Sequence, residues 1–151
     1  MNIQIWKAQR RLLLTDGERV LLTCRIGLGS QPQGPKCAQG DGRTPEGRYF
    51  ICLIKENGKY GRSLGLSYPN PEDARRAFAE NEIDLFTLNN VENACKERRR
   101  PPWGSPLGGE IYIHEGGSDH DWTAGCIALD EADMAKLFAI TEHGDTVLIT
   151  R

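Results

Sequence analysis

The sequence predicts a mainly β protein, a curved β-sandwich or barrel with two or three helices packed on its outside. Short apolar runs rich in β-branched and aromatic residues recur along the chain and are separated by Gly, Pro, Asn and Asp turn signals. The 151 residues include 17 Gly and 8 Pro and are 38% hydrophobic, which suits a compact fold with one core. We therefore expect one domain over residues 1–151, without internal repeats or a glycine-rich phosphate loop.

The opening of the chain predicts a β-meander. Asn2–Trp6 alternates between apolar and polar residues, and the runs Arg11–Leu14 and Val20–Cys24 flank an Asp-Gly hairpin signal. Arg25–Gly40 is rich in Gly, Pro, Gln and Ser, so it predicts a long loop with little to bury.

Further strands are predicted on either side of the helices. Thr44–Gly47 places Pro and Gly where a tight turn needs them, and Arg48–Lys55 alternates as a strand. Asn57-Gly58 predicts the turn that follows this strand. Thr146–Thr150 predicts a final strand at the end of the chain.

Two helices are predicted in the middle of the chain. Asn70 is a suitable N-cap and Pro71 a suitable first helical residue. A second helix is predicted over roughly Ile83–Arg98, and Pro101-Pro102 must end it. The residues that share a face are Ala74, Ala77 and Phe78 in the first helix and Leu85, Leu88, Val91 or Glu92, and Cys95 in the second.

A third helix is predicted near the C-terminus. Asp130 is a suitable N-cap, and Asp133 three residues on makes a capping-box-like arrangement. Apolar residues then follow at helical spacing from Met134. Gly144 is expected to stop the helix, which places His143 in its last turn, where the helix dipole favours a cation.

The candidate chemistry lies in residues 110–130, which hold a histidine and a cysteine at opposite ends of a glycine-rich loop. Ile111–Ile113 predicts a buried strand, so His114 falls where this strand runs into the loop. Cys126 ends the loop and precedes a short apolar run that can return into the same core. A thiol is mostly protonated near neutral pH and needs an adjacent imidazole to become a thiolate. We therefore predict Cys126 as the nucleophile and His114 as its base, about 3–4 Å apart.

Gly125 fits this interpretation because a residue without a Cβ lets a substrate carbonyl approach the peptide N–H groups beside the thiol. Those N–H groups would form an oxyanion hole. No Asp or Asn is an obvious partner for the imidazole, so we expect a backbone carbonyl of the loop Glu115–Thr123 to orient it. The alternative is that Cys126 is a small buried hydrophobe and His114 a polar group at a strand end.

Three blocks of the sequence resemble a known enzyme family. The strand, His-Gly-type loop, Thr-Ala-Gly-Cys-Ile motif and acid-capped helix of residues 110–130 are similar to the signature of the L,D-transpeptidase catalytic domain. These are cysteine enzymes that remodel bacterial peptidoglycan stem peptides. The upstream blocks Gly40–Tyr49 and Ser63–Asn70 are also similar to blocks of that family. The resemblance covers nearly the whole chain and is strongest with the short, single-domain branch.

The resemblance implies an acyl transferase with an L,D-transpeptidase-like fold and no cofactor. The Cys126 thiolate would attack an amide carbonyl after an L-configured centre of a stem peptide, and the thioester would pass to an amine. Water as acceptor would make the protein an L,D-carboxypeptidase or amidase. The resemblance also implies that β-lactams of the carbapenem class can acylate the thiol.

The chain departs from the family pattern at three positions. Ala124 stands where many members have a His, and Ala128 where many have an Arg or Asn. Glu115 stands where a Gly commonly follows the motif His, and its carboxylate would either hold an imidazolium or face water. The resemblance therefore assigns no residue to a substrate carboxylate.

Three further residues are candidates for substrate binding. Thr123 belongs to the motif, Trp122 adjoins it and would form a wall for a peptide, and His120 lies in the polar part of the loop. Two alternatives from other classes remain: a zinc hydrolase using His114, His120 and Cys126 as ligands, and a non-catalytic peptide-binding module. The first lacks the short or helical ligand spacing of common zinc sites, so we expect no metal.

The overall charge bears on partners and compartment. A net charge of −2 gives no general attraction to nucleic acid or to a membrane, and the basic run Lys96–Arg100 is expected to form a solvated helix end. Five cysteines without paired spacing argue against a disulfide framework, and no signal peptide is visible. We therefore expect a cytoplasmic protein that is a monomer. The resemblance instead implies a substrate outside the membrane, which would require a non-standard export route or a sequence whose start was trimmed.

Overall fold

The computed structural model describes residues 1–151 and shows a mainly β half-barrel of one eight-stranded sheet with three helices. The spatial order of the strands is β3-β2-β1-β8-β4-β5-β6-β7. The strands are β1 (Asn2–Trp6), β2 (Arg11–Asp16), β3 (Arg19–Arg25), β4 (Gly47–Gly58), β5 (Gly61–Leu66), β6 (Tyr112–His114), β7 (Ile127–Ala128) and β8 (Thr146–Thr150). The helices are α1 (Pro71–Ala79), α2 (Leu85–Lys96) and α3 (Glu131–Ile140). The predicted fold class is confirmed.

The opening meander is confirmed. β1 pairs antiparallel with β2, and β2 pairs antiparallel with β3 around the Asp-Gly turn. The C-terminal strand β8 then inserts beside β1, parallel to it and antiparallel to β4. One main core of 21 buried residues results, with Ile3, Ile5, Leu12, Leu14, Val147 and Ile149 among its members.

The segment after β3 connects the two edges of the sheet, because it hydrogen-bonds to β7 at the other edge. Gly27 and Ala128 exchange two backbone hydrogen bonds of 2.8 and 2.9 Å, and Ile26 and Leu28 are fully buried. The prediction that this segment has little to bury is therefore wrong. Glycine allows the closure, because a Cβ on Gly27 would lie 2.5 Å from the carbonyl oxygen of His120.

Both turns predicted around β4 are wrong. Thr44–Glu46 has no turn, since the Thr44 hydroxyl accepts a hydrogen bond from the Gly29 N–H at 3.1 Å and holds the two segments side by side. β4 continues through Asn57 to Gly58, which pairs with Gly61. The turn is consequently Lys59–Tyr60.

The first two helices follow their sequence signals. Asn70 caps α1 in a capping box with Asp73, and Asp84 caps α2. Ala74, Ala77, Leu88 and Val91 are buried together with Leu107 in a second, smaller core. Phe78 and Leu85 were predicted on the packed faces but are exposed. They lie outside the stripe of each helix that packs against this core.

The third helix differs from its prediction at both ends. Asp130 is the N-cap residue of α3, as predicted, but its side chain makes no capping hydrogen bond. Its carboxylate instead accepts hydrogen bonds of 2.9 and 3.0 Å from the backbone N–H and hydroxyl of Ser118. The helix ends at Ile140, where Thr141 turns to an extended conformation, so Gly144 does not stop it and His143 does not lie in it. None of the three helices is long and apolar enough to cross a membrane.

Candidate active site

Strands β6 and β7 bring the predicted nucleophile and base to one face of the sheet. They run parallel, with Ile113 opposite Ile127 and His114 opposite Ala128. Cys126 directly precedes β7, and because side chains alternate along a strand, it shares the face of Ala128 and hence of His114. Both side chains line one cavity of about 550 Å³.

Cys126 is a protonated thiol at rest. Its S–H donates to the Glu110 carbonyl at 3.5 Å, and its sulfur accepts the Tyr112 N–H at 3.4 Å. Burial raises the pKa of the thiol above its ordinary value, while the Tyr112 N–H and the charge of Lys36 act in the opposite direction. The thiol therefore needs a base to become a nucleophile near neutral pH.

His114 is suited to be that base because it is buried and neutral. Burial lowers the pKa of the imidazole, although its hydrogen bond to the Glu115 carbonyl opposes the shift. This carbonyl faces Nδ1. Since a carbonyl oxygen can only accept, Nδ1 carries the proton and Nε2 the lone pair. Nε2 is buried without a hydrogen-bond partner, and the carbonyl lies in the loop where the sequence predicted one.

The predicted hydrogen bond between His114 and Cys126 is absent. The thiol is engaged with Glu110 and Tyr112, and Nε2 has no partner. The register explains this, because Ala128 and not Cys126 lies opposite His114. The resting geometry therefore has no hydrogen bond between the two side chains, and their approach to about 3–4 Å stays a prediction.

The motif around the thiol is held by Thr123. Its buried hydroxyl donates to the Cys126 carbonyl at 2.7 Å and accepts the Gly125 N–H at 3.1 Å. Gly125 has φ +143°, and a Cβ there would lie 2.7 Å from the Arg43 carbonyl oxygen, so glycine is required. Because Thr123 occupies the Gly125 N–H, this group is not free for an oxyanion, which corrects part of the predicted hole. The Tyr112 N–H beside the sulfur is a donor that the sequence did not suggest.

Aromatic side chains cover the imidazole. Tyr60, in the turn between β4 and β5, stacks on His114 with ring centroids 4.7 Å apart, and Trp122 meets His114 edge-on at 5.6 Å. Trp122 also donates its Nε1–H to the Gly117 carbonyl at 3.0 Å. Trp122 thus lines the cavity, as a wall for a peptide would. Its contact with substrate stays a prediction, as does that of Thr123.

The other predicted candidate, His120, lies apart from the cavity. Its side chain is 69% exposed and pairs with Asp119 at 2.9 Å, and it is not among the residues that line the cavity. No three His, Cys, Asp or Glu side chains gather in a geometry that could hold a metal. The zinc alternative, which needs His114, His120 and Cys126 together, gains no support from this arrangement.

Sequence reasoning missed the basic residues of the cavity. Lys36, Lys55 and Lys59 line it, and Glu110 is its only carboxylate. The buried Lys36 ammonium donates to the Ala38 carbonyl at 3.0 Å and to Asp41 at 2.9 Å. Lys36 lies in the segment predicted to be a long loop, and no periodicity marks it. Its one sequence signal is Asp41, in the block that resembles the family.

The sequence model of YkuD, the L,D-transpeptidase catalytic domain, matches residues 2–149 of the chain. The chain belongs to this family. The family predicted from three sequence blocks is thereby confirmed over nearly the whole chain. Among curated proteins, none matches the chain.

Solved structures from several bacteria share the fold of this L,D-transpeptidase domain. Pgp2, a helical cell shape determining protein from Campylobacter jejuni, is 20% identical with a TM-score of 0.67, and the match covers 99% of this chain and 47% of Pgp2. An L,D-transpeptidase from Mycobacterium smegmatis is 11% identical with a TM-score of 0.57, covering 99% and 58%. The L,D-transpeptidase LdtMt1 in complex with imipenem is 13% identical with a TM-score of 0.56, covering 99% and 58%. The chain spans about half the length of these proteins, and at these identities the likeness shows the fold alone.

Proposed function

We propose that this L,D-transpeptidase domain is a cysteine acyl transferase that forms a thioester on Cys126. The observation that supports it most is the presence, in one cavity, of a half-buried thiol and a buried, neutral imidazole whose Nε2 has no partner. An unpartnered buried nitrogen is unfavourable for stability, which is consistent with a role in proton transfer. Nδ1 is held by the Glu115 carbonyl, so only Nε2 can accept the proton.

The proposed reaction has two steps, the acylation of Cys126 and the transfer of the acyl group to an amine. The Cys126 thiol turns from the Glu110 carbonyl to His114 and gives its proton to Nε2. The sulfur then attacks the amide carbonyl of the donor peptide, and the Tyr112 N–H is placed to stabilise negative charge beside the sulfur. The C–N bond breaks, the imidazolium protonates the leaving amine, and a thioester remains. An acceptor amine then gives its proton to Nε2 while its nitrogen bonds to the thioester carbon. The C–S bond breaks, and the imidazolium returns the proton to the thiolate, which restores the thiol and the neutral imidazole.

The cavity supports a peptide donor that carries a carboxylate, as a peptidoglycan stem peptide does. Three lysines and one glutamate line the cavity, in a chain whose net charge is −2. The buried Lys36 ammonium uses two of its three donors within the protein, which leaves one for a ligand. The alternative with water as acceptor, an L,D-carboxypeptidase, uses the same residues.

The test is to incubate the purified protein with a disaccharide tetrapeptide, with and without a D-amino acid, and to measure product masses. A product in which the D-amino acid replaces the terminal residue supports acyl transfer, and a shortened tripeptide supports the carboxypeptidase. Both should vanish in Cys126→Ala and survive in His120→Ala, which serves as a matched loop control. If the folded wild-type protein forms neither product, the proposal is contradicted.

A further inference from the structure

The turn between β4 and β5 is fastened to the loop that follows the catalytic base. We call residues Lys59–Arg62 the hairpin tip. Arg62 Nη1 pairs with Glu115 Oε1 at 2.5 Å, with side chains 38% and 19% exposed. The two residues are 53 positions apart in the chain and lie on neighbouring parts of the sheet, since β5 pairs with β6. The ion pair therefore joins the hairpin tip to the residue that follows His114.

Two further contacts involve the same hairpin tip. Gly61 has φ +84°, and a Cβ there would overlap the other carboxylate oxygen of Glu115, so the carboxylate lies directly against the Gly61 backbone. The adjacent Tyr60 stacks on His114 and meets Trp122 edge-on with ring centroids 5.3 Å apart. The hairpin tip thus carries both the ring that covers the imidazole and the cation that holds Glu115.

Glu115 contacts the base with one group and the hairpin tip with another. Its carbonyl accepts the Nδ1–H of His114, while its carboxylate is held by Arg62 and Gly61. Neither expectation from the sequence is met, since the carboxylate neither faces water freely nor pairs with the imidazole. A side chain fixed at its carboxylate restrains the backbone to which it belongs, and that backbone supplies the carbonyl.

We propose that the Arg62–Glu115 pair is a positioning device for the catalytic base, which holds the Glu115 carbonyl on Nδ1 and Tyr60 on the imidazole so that Nε2 stays available to the Cys126 thiol. This inference rests on the proposed function. The pair is partly exposed, and such pairs contribute little to global stability. Its loss should therefore appear in the reactivity of the site more than in the melting temperature.

The test measures alkylation of Cys126 in the full chain by iodoacetamide, a small neutral reagent. Glu115→Gln keeps the backbone carbonyl and removes the charge, and Arg62→Met removes its partner. Each variant should slow alkylation at pH 7 by about 10- to 100-fold, because a displacement of about 1 Å at a reacting group has effects of this size. The double variant should be no slower than the slower single variant, because both changes remove the same contact. Arg62→Lys should recover most of the rate.

An NMR titration of His114 separates positioning from general destabilisation. The ionisable groups near the ring are Tyr60, Glu115 with its partner Arg62, and Cys126. In both variants the pKa of His114 should rise toward its ordinary value, because the ring loses part of its cover. Loss of stability alone would not produce this change in the folded protein.

The control is Arg19→Met, which removes an exposed ion pair with Asp16 on the distant β2–β3 hairpin, 74% and 55% exposed. It should change neither the rate nor the titration. Wild-type alkylation rates in both Glu115→Gln and Arg62→Met, or slow rates with an unchanged His114 titration, would overturn the inference. An unchanged rate in His114→Ala would instead overturn the proposed function. A slow rate in His114→Ala with normal rates in the two variants would overturn the positioning role alone.

Discussion

Replacing Thr123 by valine tests how the motif holds the nucleophile. The hydroxyl of this buried residue makes two hydrogen bonds, to the Cys126 carbonyl at 2.7 Å and from the Gly125 N–H at 3.1 Å. Valine has a similar shape but can make neither bond, so two backbone groups lose their partner. Each unsatisfied buried group costs about 1–3 kcal/mol. Cys126 is only half-buried, so we expect the free energy of unfolding to fall by about 2–4 kcal/mol in total.

The measurement is urea denaturation of the wild type, Thr123→Val and two controls. Thr123→Ser keeps the hydroxyl and should lose much less stability. Thr23→Val makes the same chemical change at an exposed position of β3 and should change the free energy by less than about 0.5 kcal/mol. Alkylation of Cys126 should also slow in Thr123→Val, because the Gly125–Cys126 peptide is no longer held. A Thr123→Val protein with wild-type stability and wild-type alkylation would refute this account of the loop.

The remaining predictions concern the chemistry of the site. Cys126→Ala should abolish turnover and keep the fold, and a Cys126→Ser enzyme with most of its activity would contradict a thiolate nucleophile. Cys24 and Cys52, whose pKa values burial raises to about 12 and about 11, should be alkylated far more slowly than Cys126. His114→Ala should lower the turnover rate by about 10²–10⁴-fold and His120→Ala by less than about tenfold, and equal losses would move the base to His120. Imipenem should add its mass to Cys126, and chelators should leave activity unchanged. Stoichiometric bound zinc whose removal abolishes activity would contradict the role of Cys126 as a nucleophile. Because burial lowers the pKa of His114, the unfolded chain binds the proton first as pH falls, so stability should decline below about pH 6.5. His114→Gln should flatten this decline in acid denaturation curves, and an unchanged slope would contradict the neutral buried imidazole.

Local patterns were sufficient for most of the secondary structure. The Asp-Gly hairpin, the Asn70 cap with Asp73 and the β-branched run before His114 depend on residues within a few positions of one another. Such signals act through backbone conformations that neighbours determine, so they can be read without knowing the fold. The hydrogen bonds of the Thr123–Cys126 motif are also local, because the Thr123 hydroxyl bonds to the Gly125 N–H and the Cys126 carbonyl within four residues.

Only the tertiary structure decided how these pieces meet, because the decisive contacts join distant positions. Asp130 has the local pattern of a helix cap, but the fold brings Ser118 to its carboxylate. Gly27 closes the barrel against Ala128, about a hundred residues later, and no local pattern encodes that partner. The same reason hid the cover of the base: Tyr60 and Arg62 reach His114 and Glu115 only because β5 pairs with β6. Residue types and spacing determined which groups could react, and the pairing of strands determined which of them face one another.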